Sequence, residues 1–374
     1  MSFQQINIDG ISAIFCQFFT FPLDRIRFFF VLDSMKNILF LLLFIFCAAC
    51  QSVPASPSAS PSNDKQGGKT GKLKTPADYT PPAAKKVTHK TDNLTIDMYA
   101  VNFAQGNLVY CEVYSETKNF ELKKAVYGQM VLSFTKKAWG YRMFLPIAPA
   151  EPAGQKSVIL TYSTDGRTQN TTALFTITAA NFTVSKTPLD MGKFSNRGTD
   201  TKPEVIAFIK ESRKKKDEAF ASRERDLIGN SFSHPRNMHY ITSHFYAKRI
   251  YQNYRIEKGK KIRLKDTERV HRGLDLRGET GAPVYAMADG KVVLADFLYY
   301  EGNMVVIDHG NKLFSYYMHL NAINVSKGSM VKAGDLIGAV GSTGISTAAH
   351  LHVSLILNWV ELNPLGLLSL PVRD

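Results

Sequence analysis

The chain is short of cysteine, tryptophan and acidic residues, and it lacks a long uninterrupted apolar run. Four of its 374 residues are cysteine and two are tryptophan. Cys16, Cys47 and Cys50 sit near the N-terminus, and Cys111 lies in a stretch that reads as a strand. That set supports neither a disulfide framework nor a cysteine zinc knuckle. The apolar run that begins at Ile38 covers about a dozen residues, short of the roughly 20 a membrane-spanning helix requires. Acidic residues number 32 against 46 basic ones, a formal net charge of +14. Such a balance favours anionic partners, whether nucleic acid, anionic lipid or an acidic cell-wall polymer, without choosing among them; it also serves plain solubility. With 44% hydrophobic and 21% charged residues, wholesale disorder is excluded and a packed core is expected.

The N-terminal region reads as targeting sequence. MKNILFLLLFIFCAACQS, from Met35, has a positive start at Lys36, an apolar run from Ile38 to Phe46, and Ala48-Ala49 before Cys50. This is signal-peptide grammar over residues 35–49. A cysteine directly after two alanines resembles a bacterial lipobox, although Cys47 stands where an aliphatic residue is usual. On that reading Cys50 is the lipidation site, and the protein is exported and anchored to a membrane by its N-terminal lipid, facing the periplasm or cell envelope. Residues 1–34 then read as an upstream over-extension of the start. Residues 50–88, rich in Pro, Ser, Ala, Gly and Lys, cannot bury enough apolar surface to offset chain entropy, and are expected to form a flexible tether. Export argues against nucleic acid as a partner.

Two folded regions follow. Over 89–195, LVYCEVYS, AVYGQMVLSF, KSVILTYS and ALFTITAANFTV are strand-like and separated by Gln105-Gly106 and Asp165-Gly166. Phe175 and Ile177 alternate with Thr176 and Thr178, the period of a half-buried strand. An immunoglobulin-like β-sandwich is the expected fold. Cys111 is expected to be a small buried hydrophobe there. Residues 196–229 form a basic connector, with a helix expected over 203–227 behind Pro203. Its SRKKK run is read as a solvated face. Residues 230–370 return to strands, with hairpins expected at Ala288–Lys291 and Asp308–Asn311. The fold class is therefore all-β, with a short helical connector between two β domains.

Chemistry concentrates in three segments of the second domain. HRGLDLRGETGAPV carries His271 and Asp275, SYYMHL ends at His319, and GISTAAHLHVSL carries His350 and His352. Residues two apart in a strand share a face. His350 and His352 thus point together while Leu351 points into packing; His271 and Asp275, four apart, also share a face if extended. Imidazole and carboxylate suit zinc, with three protein ligands and a water in a catalytic site. Spacing alone does not decide between such a site and ordinary core or surface histidines, because it does not bring the segments together.

The three segments, in this order, together resemble the lysostaphin-type zinc metallopeptidases that cut peptidoglycan cross-links; the similarity covers about residues 230–365, including ITSHFYAKR upstream. The resemblance implies a small antiparallel sheet under a groove and one Zn2+ per chain. It implies zinc ligands at His271, Asp275 and His352 and catalytic, non-ligand roles for His319 and His350. On that pattern the zinc-bound water is the nucleophile, His350 moves its proton, and His319 orients the water or stabilises the oxyanion. The implied partners are the peptide stems of peptidoglycan. His309 matches as a hairpin residue and His244 as a loop residue, neither a ligand. Ala348-Ala349 replace the family's Gly-Pro, and Gly310-Asn311-Lys312 depart from its HGNG. A second reading is a catalytically idle wall-binding regulator that activates a separate amidase; the five intact positions favour the zinc metalloendopeptidase. VSKGSMVKAGDLIG resembles the hairpin of lipoyl and biotinyl carriers but lacks a modifiable lysine in a tight turn.

Overall fold

The computed structural model describes residues 3–8, 11–16, 76, 78–229, 231–371 and 373. Two compact units divide the chain, residues 1–65 and 66–374. In the first, Phe3–Ile8 and Ile11–Cys16 pair as an antiparallel hairpin. The signal run 35–49, Cys50 and the tether as far as residue 75 lie outside the described residues. Among the described residues no helix is long and apolar enough to cross a membrane.

The second unit begins with two facing antiparallel sheets. One has five strands, in the order Lys85–Lys90, Thr95–Ala100, Leu108–Tyr114, Gly140–Pro146 and Phe134–Lys137. The other has four: Arg167–Ile177, Gly154–Thr164, Glu121–Tyr127 and Met130–Val131. Alternation builds their shared core. Ile96, Met98, Val109, Cys111 and Leu145 meet Leu122, Ala125, Val158, Leu160 and Phe175, each fully buried aliphatic contributing about 1.5–3 kcal/mol. Cys111 is wholly buried, and burial pushes its thiol well above the usual range, as an inert packing residue requires. Asp165 and Gly166 both have positive φ, +49° and +79°, and close the hairpin expected from their sequence.

The strands Leu108–Tyr114 and Gly140–Pro146 of the five-stranded sheet are buried on both faces. Leu108, Tyr110 and Phe144, out of phase with Val109, Cys111 and Leu145, join the core of the C-terminal domain. Arg142 projects from this second face. It pairs with Asp226 (Nη2 to Oδ2, 2.6 Å) and donates to the Ile228 carbonyl at 2.7 Å.

The C-terminal domain centres on one antiparallel sheet, in the order Ile241–Ser243, Leu274–Arg277, His350–Leu357, Leu313–Leu320, Gly302–Gly310, Gly290–Leu298 and Met330–Val331. Its rear face carries Leu351, Val353, Leu355, Tyr317, Val305 and Ile307 into the core shared with Tyr110 and Phe144. Its front face carries Met304, Val306, Phe314, Tyr316 and Ile356. The helix Pro203–Phe220 lies against that front face, burying Ala219 and packing Phe220 on Phe314 and Tyr316. Lys215 binds Glu211 and Asp296, and Lys216 binds Glu301, so the basic run pins the helix to the domain as well as solvating it. The helix stops at Phe220, short of the expected 227. Beyond it the backbone is held by the sheet: Leu227 N–H donates to the His309 carbonyl, and Asp226 is claimed by Arg142.

Two hairpin expectations need correction. Ala288–Lys291 is a crossover: Pro283–Tyr285 pairs with Leu336–Ala339, whereas Gly290–Leu298 pairs with Gly302–Gly310. Asp289 is buried there and accepts from Ala333 N–H and the Lys332 ammonium, which draws the chain away from a tight return. The next hairpin exists, but its turn is Asn311–Lys312, both at positive φ; Asp308–Gly310 still belongs to the strand. A separate hairpin, Lys248–Glu257 with Lys260–Val270, stands beside the front face.

Candidate active site

The period-two pattern of His350–Leu357 places Leu351 and Val353 in the rear core and His350 and His352 on the front face. Asp275 lies directly opposite His352 in the neighbouring strand, and Leu274 and Leu276 flank it in the core. His271 precedes that strand. It reaches the same point because the chain bends at Arg272-Gly273, and not because four extended residues share a face. A Cβ on Gly273 would lie 2.2 Å from Ser354 Oγ and 2.3 Å from His352 Nε2, so this close approach needs glycine.

Three heteroatoms converge there. His271 Nε2 is 2.9 Å from Asp275 Oδ1 and 3.0 Å from His352 Nδ1, and His352 Nδ1 is 3.0 Å from Asp275 Oδ1. Ligands on a tetrahedral zinc, at about 2.0–2.1 Å from the ion, lie about 3.3 Å apart. The donor set and its size fit that ion with small adjustment. The outer nitrogens are tied back. His271 Nδ1 donates to the His244 carbonyl at 3.0 Å, and His352 Nε2 lies 3.3 Å from Ser354 Oγ, which itself donates to the Arg272 carbonyl. Both inner nitrogens are left to turn lone pairs toward a carboxylate oxygen, an arrangement that calls for a proton or a cation at its centre. The other Asp275 oxygen accepts from Arg249 Nη2 at 2.8 Å, and Arg249 also bonds Ser243 Oγ.

The electrostatics agree. Burial works to raise the Asp275 carboxyl, but its hydrogen bonds with His271 and His352 hold it well below the usual carboxylate range. Burial pushes His352 down to about 4 despite Asp275. Near pH 7 Asp275 is therefore an anion and His352 a neutral imidazole.

His319 and His350 flank this triad, with His319's ring centroid 5.0 Å from His350's and 6.0 Å from His352's. His350 Nδ1 donates to the Ala348 carbonyl at 2.7 Å, and Nε2 lies 3.6 Å from Asp275 Oδ1. His319 Nδ1 donates to the Thr343 carbonyl at 2.8 Å. Each carbonyl fixes its ring as the tautomer whose Nε2 accepts a proton. Burial, reinforced by the nearby His352 and His350, lowers His319 to about 3. His319 also holds φ at +63°, its N–H on the Glu301 carbonyl and its own carbonyl tight against Gly341. Left-handed backbone in a non-glycine residue is kept where the surroundings over-determine it.

All five histidine and aspartate positions thus gather around one groove of about 1560 Å³. Its floor includes Tyr316 and Ile356, one wall is the 248–270 hairpin, and Phe220 lines it as well. Ala348 and Ala349, the departures from Gly-Pro, line it. His309 is elsewhere, buried between the Asp289 carbonyl and Ser315 Oγ. Among the described residues, this is where three side chains that could hold a metal ion cluster. Sequence reading missed Arg249, Ser243, Ser354 and the use of His244's carbonyl. ITSHFYAKR contains three of them, but nothing local announces that Arg249 meets a carboxylate 26 residues on.

The comparisons with known proteins agree with this geometry. A putative peptidase M23 from Pseudomonas aeruginosa has a similar fold, with TM-score 0.50 and 19% identity over 72% of this chain and 96% of that one. The peptidoglycan DD-endopeptidase ShyA of Vibrio cholerae is 44% identical over 99 residues, 26% of this chain and 23% of ShyA. ShyB of the same organism, also named a peptidoglycan DD-endopeptidase, is 35% identical over 158 residues, 42% of this chain and 34% of ShyB. The chain thus spans about a quarter to a third of the length of these relatives. The family description "Peptidase family M23" matches residues 269–364, from just before His271 to just after the last strand of the sheet. The chain therefore carries a domain of Peptidase family M23, of the lysostaphin-type, LytM-like kind that its three histidine-bearing segments resemble.

Proposed function

We propose that this protein is a zinc-dependent endopeptidase that hydrolyses peptide cross-links of bacterial peptidoglycan. The observation that carries the reading is the convergence of His271, Asp275 and His352 with two further histidines in an open groove. The names of ShyA and ShyB support a bond between D-amino acids. His271, Asp275 and His352 would hold one Zn2+, which when bound lowers the pKa of its water towards about 7 and polarises the scissile carbonyl. His350, with Nδ1–H tied to Ala348, presents Nε2 to take a proton from the attacking water and return it to the leaving amine. His319 likewise presents an acceptor. Of the two roles that the family pattern allows, its fixed tautomer and low pKa suit orienting the water better than donating to an oxyanion. The domain in front is read as an immunoglobulin-like sandwich. Its Tyr110 and Phe144 pack behind the sheet, away from the groove, so its role is support. An export signal, a lipid on Cys50 and a tether would place the enzyme at the cell envelope.

Digestion of purified peptidoglycan tests the reading. Wild type with zinc should release new amino ends, and EDTA or His350→Ala should abolish them. No release by wild type, together with increased activity of an added amidase, would establish the idle regulator instead.

A further inference from the structure

The strand that carries His350 and His352 ends in a two-residue turn, Asn358–Trp359, before Val360–Leu362 returns alongside it. Both turn residues are left-handed, with φ of +49° and +68°. Turns of this hand strongly favour Asn-Gly, because the second position suits a residue without Cβ. A bulky aromatic there is an outlier. Burial does not explain it: Trp359 is 65% exposed, and its ring meets the Phe220 ring at 6.0 Å between centroids. The turn itself is held firmly, since Asn358 N–H donates to the Lys312 carbonyl of the adjacent turn. An exposed indole kept at a conformational cost on a fixed turn points to function.

Its place points to the ligand. Trp359 lines the same groove as the five site residues, with Ile356 and Tyr316 on the floor between. From His352 to Leu357 the strand advances about 17 Å at roughly 3.3 Å per residue. Ring contacts run from His352 through Tyr316 and Phe220 to Trp359, at 6.2, 6.0 and 6.0 Å between centroids, so the indole stands no more than about 18 Å from the His352 ring. A four-residue peptide stem extends to about 13–14 Å. The short ether linker that joins such a stem to its sugar adds a few ångströms, by the same bond lengths. A stem with its scissile end at His350 and His352 would thus bring its own sugar to Trp359. The C–H face of a pyranose is flat and apolar, and a solvent-facing indole offers a matching rigid surface.

We infer that Trp359 is a sugar-stacking subsite, which takes a pyranose ring of the glycan strand to which the cleaved stem is attached. The subsite rests on the proposed peptidoglycan substrate and deepens it: the enzyme reads the cross-link together with its glycan.

The test uses the full chain loaded with zinc. Two substrates are compared, a cross-linked muropeptide dimer that keeps its disaccharides and the same dimer freed of sugar by an amidase. Wild type should prefer the sugar-bearing dimer in kcat/KM, through KM. Trp359→Gly, which suits the turn, should cut that preference about tenfold, and Trp359→Phe should restore most of it. An unchanged preference in Trp359→Gly, or equal losses on both dimers, overturns the subsite. If wild type cleaves neither dimer, the hydrolase reading fails, and the subsite is judged by binding in a Trp139→Phe background. Quenching of Trp359 fluorescence by the sugar-bearing dimer alone supports it; no quenching, or equal quenching by both dimers, overturns it.

Discussion

Asp275 and His352 face each other directly across an antiparallel strand pair, with Oδ1 and Nδ1 3.0 Å apart. This register places the carboxylate and imidazole on one face and leaves Leu274, Leu276, Leu351 and Val353 for the core behind. A slip of one residue would bury the carboxylate and imidazole and expose the leucines. The carboxylate–imidazole pair is thus specified by the same hydrophobic pattern that specifies the sheet.

His350 and His352, two residues apart, should part company on mutation. His352→Ala removes a triad atom and should abolish bound zinc. His350→Ala leaves the triad intact and should retain about one zinc while losing some 10²–10⁴-fold in turnover. Metal content by mass spectrometry, beside the rate of peptide release, checks both. Equal zinc in the two variants would show the roles to be misassigned.

Arg249 holds Asp275 Oδ2 and Ser243. Arg249→Gln should weaken zinc binding about 10–100-fold, the usual effect of losing an outer partner of a ligand. Competition against a chromogenic chelator measures this without reference to activity. Affinity equal to wild type would make Arg249 a merely structural contact.

The Arg142–Asp226 pair lies deep between the two β domains, with side chains 2% and 1% exposed. Asp226→Ala strands a buried guanidinium and should cost about 3–5 kcal/mol in urea unfolding. Replacing both partners, Arg142→Met with Asp226→Leu, should recover much of that loss, because the penalty belongs to the unpaired charge. A single variant as stable as wild type would contradict the buried geometry.

Acid should destabilise the metal-free protein at a definite place. Burial lowers His352 to about 4 and His319 to about 3, against about 6.5 in an unfolded chain. Below pH 6.5 the unfolded chain therefore takes up protons that the fold refuses, and stability falls as pH drops from about 6.5 towards 3–4. Above pH 7 the two groups contribute no slope. Urea midpoints of EDTA-treated protein across this range should show the fall, and a His319→Gln, His352→Gln double variant should make it shallower, the remainder coming from groups such as His234, which burial also lowers to about 4.

Much of this site was legible in the chain. His271, His319, His350, His352 and Asp275 stand out by type and by the segments around them, and Leu351 marks which way its neighbours point. The even spacing of His271 and Asp275 pointed to two residues that do meet, but for the wrong reason, since the chain bends at Gly273 between them. The Ala288–Lys291 turn failed because turn residues announce a change of direction and not the strand that will be paired. Asp289's bonds to Lys332 and Ala333, more than 40 residues away, settled that.

The sequence by itself determined the strand-rich class, the order of the two folded regions, the alternation in each strand and the five polar residues that interrupt it. These depend on local sterics and on period-two burial, which short windows contain. Only the tertiary structure decided that the triad atoms stand 3 Å apart and that Arg249 and the His244 carbonyl hold them there. It alone put the helix on the front face and the Arg142-bearing sheet behind, and gave Trp359 its left-handed turn at the groove. Those relationships join residues far apart in the chain, and they exist only once long-range strand pairing has brought the segments together.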